Sequence, residues 1–175
     1  MDAARERAFE EFVRGGSERL FRTAYLLAGD RDHAQDLLQS ALERVYRRWD
    51  RVEAMEHREA YVRRTMVNLT TDRWRRRRYL VEVPFDERAA PATADPTGRV
   101  DLRAALVGGL LALPPAMRTV VVLRHWEGLS EAEVADEVGC SLGTVKSQAS
   151  RGLARLRDLV DGLTADAVAE LRRGR

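Results

Sequence analysis

The stretch from Ser130 to Arg157, SEAEVADEVGCSLGTVKSQASRGLARLR, admits few folds. Ser130 followed by Glu133 is a capping box, and an apolar-periodic run comes next. Val134, Ala135 and Val138 predict a short helix that Gly139 ends, because glycine accepts the left-handed backbone of a C-cap. Cys140, Ser141, Leu142 and Gly143 form the turn. Ser141 or Thr144 caps a second helix, with Val145, Ala149, Leu153, Leu156 and Val160 on one face. A helix-turn-helix needs a small residue where its helices cross, a glycine in the turn and an apolar plug early in the second helix. Ala135, Gly139 and Val145 fall at that spacing.

The other face of the second helix carries Lys146, Ser147, Gln148, Ser150, Arg151, Arg155 and Arg157, with no acid before Asp158. Such a face offers donors to phosphates and base edges and suits a major groove. The solvated basic side of an ordinary helical hairpin has the same local pattern. Cys140 reads as a small turn filler or as a redox-sensitive thiol.

The net charge is only +2, from 30 basic and 28 acidic residues, so the molecule is no general polycation. The charge is sorted instead. Arg73, Arg75, Arg76, Arg77 and Arg78 form a basic block, an acidic stretch follows, and the second helix of the motif is basic again. Sorted charge on a near-neutral chain suits contact with nucleic acid at defined patches. One cysteine excludes a disulfide framework and a cysteine zinc site, and His33, His57 and His125 lack ligand spacing. No metal or cofactor is implied. The N-terminus is charged and amphipathic rather than a signal peptide, and Pro114 and Pro115 break the longest apolar run. These features predict a soluble, cytoplasmic, reduced protein with no membrane contact.

In chain order, a first helix is predicted over 3–14, stopped by Gly15 and Gly16, and a second begins at Ser17 and ends at Gly29 and Asp30. From Asp32 the clearest period in the chain runs through Ala34, Leu37, Leu38, Ala41, Leu42, Val45, Tyr46 and Trp49. The opposite face holds Asp36, Gln39, Ser40, Glu43 and Arg47, which is a solvated face or a partner surface. A polar loop is expected over 50–58, then a helix over 59–78. On that helix Tyr61, Thr65, Asn68 and Asp72 make a polar stripe. Asn and Asp are poor helix formers, so these two either satisfy each other and nearby backbone or line a polar pocket. Trp74, among arginines, suits base stacking or a place in the core.

Residues 79–101 hold three prolines, a glycine, five acids and two arginines, which is a linker composition. Helices follow near 102–112 and 115–126, the latter burying Met117, Val120, Val121 and Leu123 and closed by Trp126. A short final helix is expected over 164–173. No segment alternates as a strand does. The fold class is all-α: two small helical domains joined by a flexible acidic linker, the second ending in a helix-turn-helix.

Two residue sets together resemble one family. The second half reads LLALPxxxRxVVxLRxxEGLSExEVAxxxGxSxGTVKSxxSRGLxRLR. The first reads FxxxYLLxGDxxxAxDLxQxxLxRVYRRW and then YVRRTMVNLTTDRWRRRR. In this order, across a short acidic linker, they resemble a bacterial RNA polymerase sigma factor of the extracytoplasmic-function class in the sigma-70 family, with residue usage similar to actinobacterial members.

The resemblance implies a region 2 domain over 1–78, a linker over 79–101, a region 4 domain over 102–161 and a tail over 162–175. Core polymerase would be bound through the clamp helices of its largest subunit and its flap. Asp36, Leu37, Gln39 and Glu43 would meet the clamp, although Ser40 and Leu42 stand where the family often has an acid and a Phe. Arg64, Asn68, Arg73, Trp74, Arg75 and Arg76 would melt and read the −10 element, Asn68 and the loop 50–58 taking a flipped base. Thr144, Lys146, Ser147, Gln148, Ser150, Arg151 and Arg155 would read the −35 element. Promoter DNA and core polymerase are the implied partners, and an anti-sigma factor is a further one. The two promoter elements lie about 70 Å apart along the duplex. Residues 79–101 reach at most about 75 Å when extended, so the linker would be nearly stretched.

No phosphate-binding glycine loop, metal spacing or nucleophile–base pair is recognisable, so no enzyme is expected. The rival reading is a stand-alone helix-turn-helix regulator, which would need a dimer interface, and no heptad segment supplies one. A protein-binding helical adaptor would have no use for the arginine block.

Overall fold

The computed structural model describes residues 3–80 and 102–173, with side chains over 3–72 and 104–162. Among the described residues every regular element is helical. The chain divides into two compact units, Met1–Glu82 and Val83–Arg175.

The first unit holds α1 (Ala3–Ala28), α2 (Arg31–Tyr46), the short α3 (Trp49–Glu53) and α4 (Arg58–Leu80). The expected break at Gly15 and Gly16 is absent, and α1 runs straight through them. Neither glycine has a positive φ. Gly16 is buried, with Glu59 Oε1 3.2 Å from where a Cβ would stand, so packing against α4 outweighs the poor helix propensity of two glycines. Asp30 caps α2, its carboxylate accepting from His33 N at 2.9 Å.

Leu20, Ala24 and Leu27 of α1 meet Ala34, Leu37, Ala41 and Val45 of α2 and Val62, Met66 and Val67 of α4, all buried. Trp49 does not continue the α2 stripe. The helix ends at Tyr46, and Trp49 opens α3, fully buried, its ring 5.1 Å from both Phe9 and Phe12. Arg5 closes this cluster: it donates to Tyr46 O at 2.6 Å, pairs with Asp50 at 2.8 Å and lies over the Tyr46 ring. The loop expected over 50–58 is therefore partly helical. Of the expected linker, Tyr79 and Leu80 complete α4, and 81–101 lies outside the described residues.

The second unit holds α5 (Leu102–Leu111), α6 (Pro115–Val121), a π-helical turn (Val122–Trp126), α7 (Glu131–Val138) and α8 (Leu142–Arg173). Pro114 is the N-cap of α6 and Pro115 its first residue, where a missing N–H costs nothing. The buried Arg118 donates to Leu111 O at 2.8 Å and so ties the end of α5 to α6. The π turn, with Glu127 N donating to Val122 O, changes the register of the chain. Val120, Val121 and Leu123 are buried as expected, but Trp126 is carried outward and is 51% exposed. The separate final helix is also absent, because α8 is continuous to Arg173. It packs on α5, α6 and α7 and forms the spine of the unit.

Candidate nucleic-acid interface

The helix-turn-helix is set by local chemistry. Ser130 Oγ accepts from Glu133 N at 3.2 Å, and Glu133 Oε2 accepts from Ser130 N at 2.7 Å. Gly139, at φ 70° and ψ 45°, turns the chain, and its N–H and that of Cys140 both reach Ala135 O. Ser141 Oγ caps α8 by accepting from Thr144 N at 3.1 Å. Val134 and Val145 are fully buried between the helices.

Thr144, Lys146, Ser147, Ser150 and Arg151 stand exposed on α8. Gln148 and Arg155 do not share that face and are half-buried. They follow Val145 by three and ten residues, within about 60–80° of the buried stripe at the pitch of an α-helix. Gln148 Oε1 is enclosed without a hydrogen-bond partner. Leu153, expected on the buried side, is 37% exposed. Lys146 Nζ lies 3.8 Å from Glu131 Oε2 at the start of α7.

In the first unit, Tyr61, Arg64, Thr65 and Asn68 of α4 face Arg44, from α2, and Arg47 and Arg48, which follow it, across a hollow of about 580 Å³. Thr65 Oγ1 donates to Tyr61 O at 2.8 Å, and Asn68 is exposed. Among the described residues, four guanidinium groups and no carboxylate line this hollow. Asp72 is not among the lining residues, so the polar stripe read from the sequence divides. The second wall is the end of α2 rather than 50–58. The run Arg47-Arg48 was its signal in the sequence. Arg73, Trp74, Arg75 and Arg76 lie on the α4 backbone, and their side chains are outside the described residues.

On the other side of α2, Asp36, Gln39 and Glu43 are exposed, and Gln39 Nε2 donates to Glu43 Oε1 at 3.1 Å. Leu37, expected at the docking face, is 3% exposed and belongs to the core. Its neighbours Leu38 and Leu42 instead join Phe9, Phe21 and Tyr46 in an apolar groove of about 680 Å³ between α1 and α2, bordered by Glu18 and Glu43.

Among the described residues no cluster of His, Cys, Asp and Glu forms a metal site, and no helix is long and apolar enough to cross a membrane. Residues 12–79 match the family model for sigma-70 region 2, and residues 103–156 match that for sigma-70 region 4. The RNA polymerase sigma-E factor of Streptomyces avermitilis is 45% identical over 161 residues, covering 92% of this chain and 89% of that one. The ECF RNA polymerase sigma factor SigE of Mycolicibacterium smegmatis is 36% identical, over 90% of this chain and 63% of its own. The chain belongs to the sigma-70 family, as a sigma factor of the extracytoplasmic-function class.

A solved structure shares the sigma factor's fold: RpoE of Bartonella quintana in complex with the anti-sigma factor NepR. It has a TM-score of 0.63 and 25% identity, over 87% of this chain and 96% of that one. The hollow, and the apolar groove apart from Phe9, lie in the part of the sigma factor that matches region 2, and the exposed face of α8 lies in the part that matches region 4.

Proposed function

We propose that this sigma factor divides promoter recognition between its two units. The unit that matches region 2 takes the −10 element: Asn68 and Tyr61 receive an unstacked base in the hollow while the surrounding arginines hold the phosphates. Unstacking a base costs a few kcal/mol, and stacking with hydrogen bonding offsets it. The exposed face of α8, with Thr144, Lys146, Ser150 and Arg151 and with Ser147 set among them, meets the −35 element. The groove of Leu38 and Leu42, with Asp36, Gln39 and Glu43 beside it, docks core polymerase, and the unit that matches region 4 meets the flap. An anti-sigma factor, such as the Bartonella relative binds, is a further partner. The sigma factor works in the cytoplasm as a specificity subunit and is not itself an enzyme, the polymerising chemistry belonging to the polymerase.

The observation that carries this reading is the hollow. Helix α4 and the end of α2 together place an aromatic ring, an amide and four guanidinium groups around one space, with no acid in its lining among the described residues. A stand-alone helix-turn-helix regulator would leave that space, and the unit that contains it, without a role. The test is run-off transcription by core polymerase on a fragmented actinobacterial genome. Specific transcripts are expected only when the chain is added, and Asn68→Ala is expected to reduce them. Transcripts that do not depend on Asn68 would remove the hollow from promoter recognition.

A further inference from the structure

Arg151 is anchored on the surface of α8. Its Nε donates to Ser147 O at 3.2 Å, and its Nη2 donates to Ser147 Oγ at 3.3 Å. Ser147 Oγ in turn donates to Thr144 O at 3.0 Å. Thr144 Oγ1 lies 2.9 Å from Ser141 Oγ, the cap of the helix. A line of polar contacts thus runs from the turn to the guanidinium.

A guanidinium carries five N–H donors in a rigid planar fork. The edge formed by Nε and Nη2 faces Ser147. The end formed by Nη1 and Nη2 keeps two parallel N–H groups directed away from the helix. That end matches two acceptors side by side, as on the major-groove edge of guanine. A long side chain loses rotamer freedom when it binds, and one already held along an edge loses less.

We propose that Ser147 is a positioning residue, which aims the terminal fork of Arg151 at one base pair of the −35 element and does not read a base itself. This rests on the assignment of α8 as the −35 reader. Because Arg151 Nε is held by the backbone carbonyl of residue 147, removing the hydroxyl loosens the arginine without releasing it, so the effect is partial.

The test uses holoenzyme assembled from the full chain and a duplex pool randomised across both promoter elements, selected by transcription and sequenced. Arg151→Ala is expected to flatten the preference at one base pair of the −35 element by on the order of tenfold. Ser147→Ala is expected to lower it at the same base pair by roughly threefold, while Ser147→Thr, which keeps the hydroxyl, restores it. Added to Arg151→Ala, Ser147→Ala is expected to change nothing further. A loss at a different base pair, or the same loss in both backgrounds, would make Ser147 a direct contact and overturn the proposal. If Arg151→Ala leaves every −35 position unchanged, the reading face itself is misassigned and the proposal falls with it. That result is distinguishable because the single arginine variant alone reveals it.

Discussion

Gly152 of α8 lies directly against Val121 of α6: a Cβ at position 152 would stand 2.7 Å from Val121 Cγ2 and 3.5 Å from Met117 Cβ. The two helices approach this closely because residue 152 has no side chain. Val121 is buried and β-branched, so its methyl cannot turn aside without leaving its rotamer. Gly152→Ala is therefore expected to destabilise the second unit by about 1–3 kcal/mol, overpacking outweighing the gain in helix propensity. Combining it with Val121→Ala should return less than the sum of the two losses. Urea unfolding of the four proteins measures this, and additive losses would show that the two residues do not meet.

Gly15 is the converse. It sits in the interior of α1, with negative φ and open space around the position of a Cβ. Gly15→Ala should stabilise the first unit by about 0.5–1 kcal/mol, seen as a higher thermal midpoint. A loss of stability would mean that α1 bends at this point.

Asp30 caps α2 as a carboxylate. The His33 backbone N–H above all, helped by the His33 ring, holds its pKa below the ordinary range against an opposing desolvation. A depressed native pKa stabilises the fold above the unfolded carboxylate range, and that contribution is lost as pH falls through the native value. Asp30→Asn keeps a cap but does not titrate. The stability of the wild type relative to this variant should thus fall as the solution is acidified below the usual aspartate range. A difference independent of pH would remove the carboxylate from the cap.

Leu37 and Leu42, five positions apart on α2, should fail differently. Leu37 is in the core, and Leu37→Ala is expected to cost about 2–5 kcal/mol. Leu42 lines the groove, and Leu42→Ser should leave the unfolding midpoint much closer to wild type yet weaken association with core polymerase. Fluorescence anisotropy of a labelled chain titrated with core enzyme reads the second effect. Unchanged affinity would move the docking surface elsewhere.

Glu131 places a negative charge 3.8 Å from Lys146 on the proposed reading face. Exposed ion pairs contribute little to stability, so Glu131→Gln should barely alter folding. It should instead strengthen promoter binding at low salt by roughly threefold or less, because one acid near the phosphates is gone. Lys146→Ala should lower the salt slope by about one if that lysine meets a phosphate. Binding at a series of salt concentrations measures both slopes.

The sequence by itself determined the parts whose causes are local. Ser130 with Glu133, Gly139 in the left-handed region and Val145 as the plug each act within a few residues, so the helix-turn-helix was legible from spacing alone. The long apolar period of α2 was equally plain, and its outer acids were placed correctly. Tertiary structure decided what depends on residues far apart in the chain. Gly16 stays helical because α4 packs against it. Trp49 leaves the α2 stripe to fill the space beside Phe9 and Phe12. Trp126 is exposed because a π turn shifts the register ahead of it. The hollow exists because the end of α2 brings Arg44, Arg47 and Arg48 across from Asn68, a pairing that no periodicity within either helix encodes. Helical period gives a residue's angle on its own helix, and only the packing of helices decides what stands opposite it.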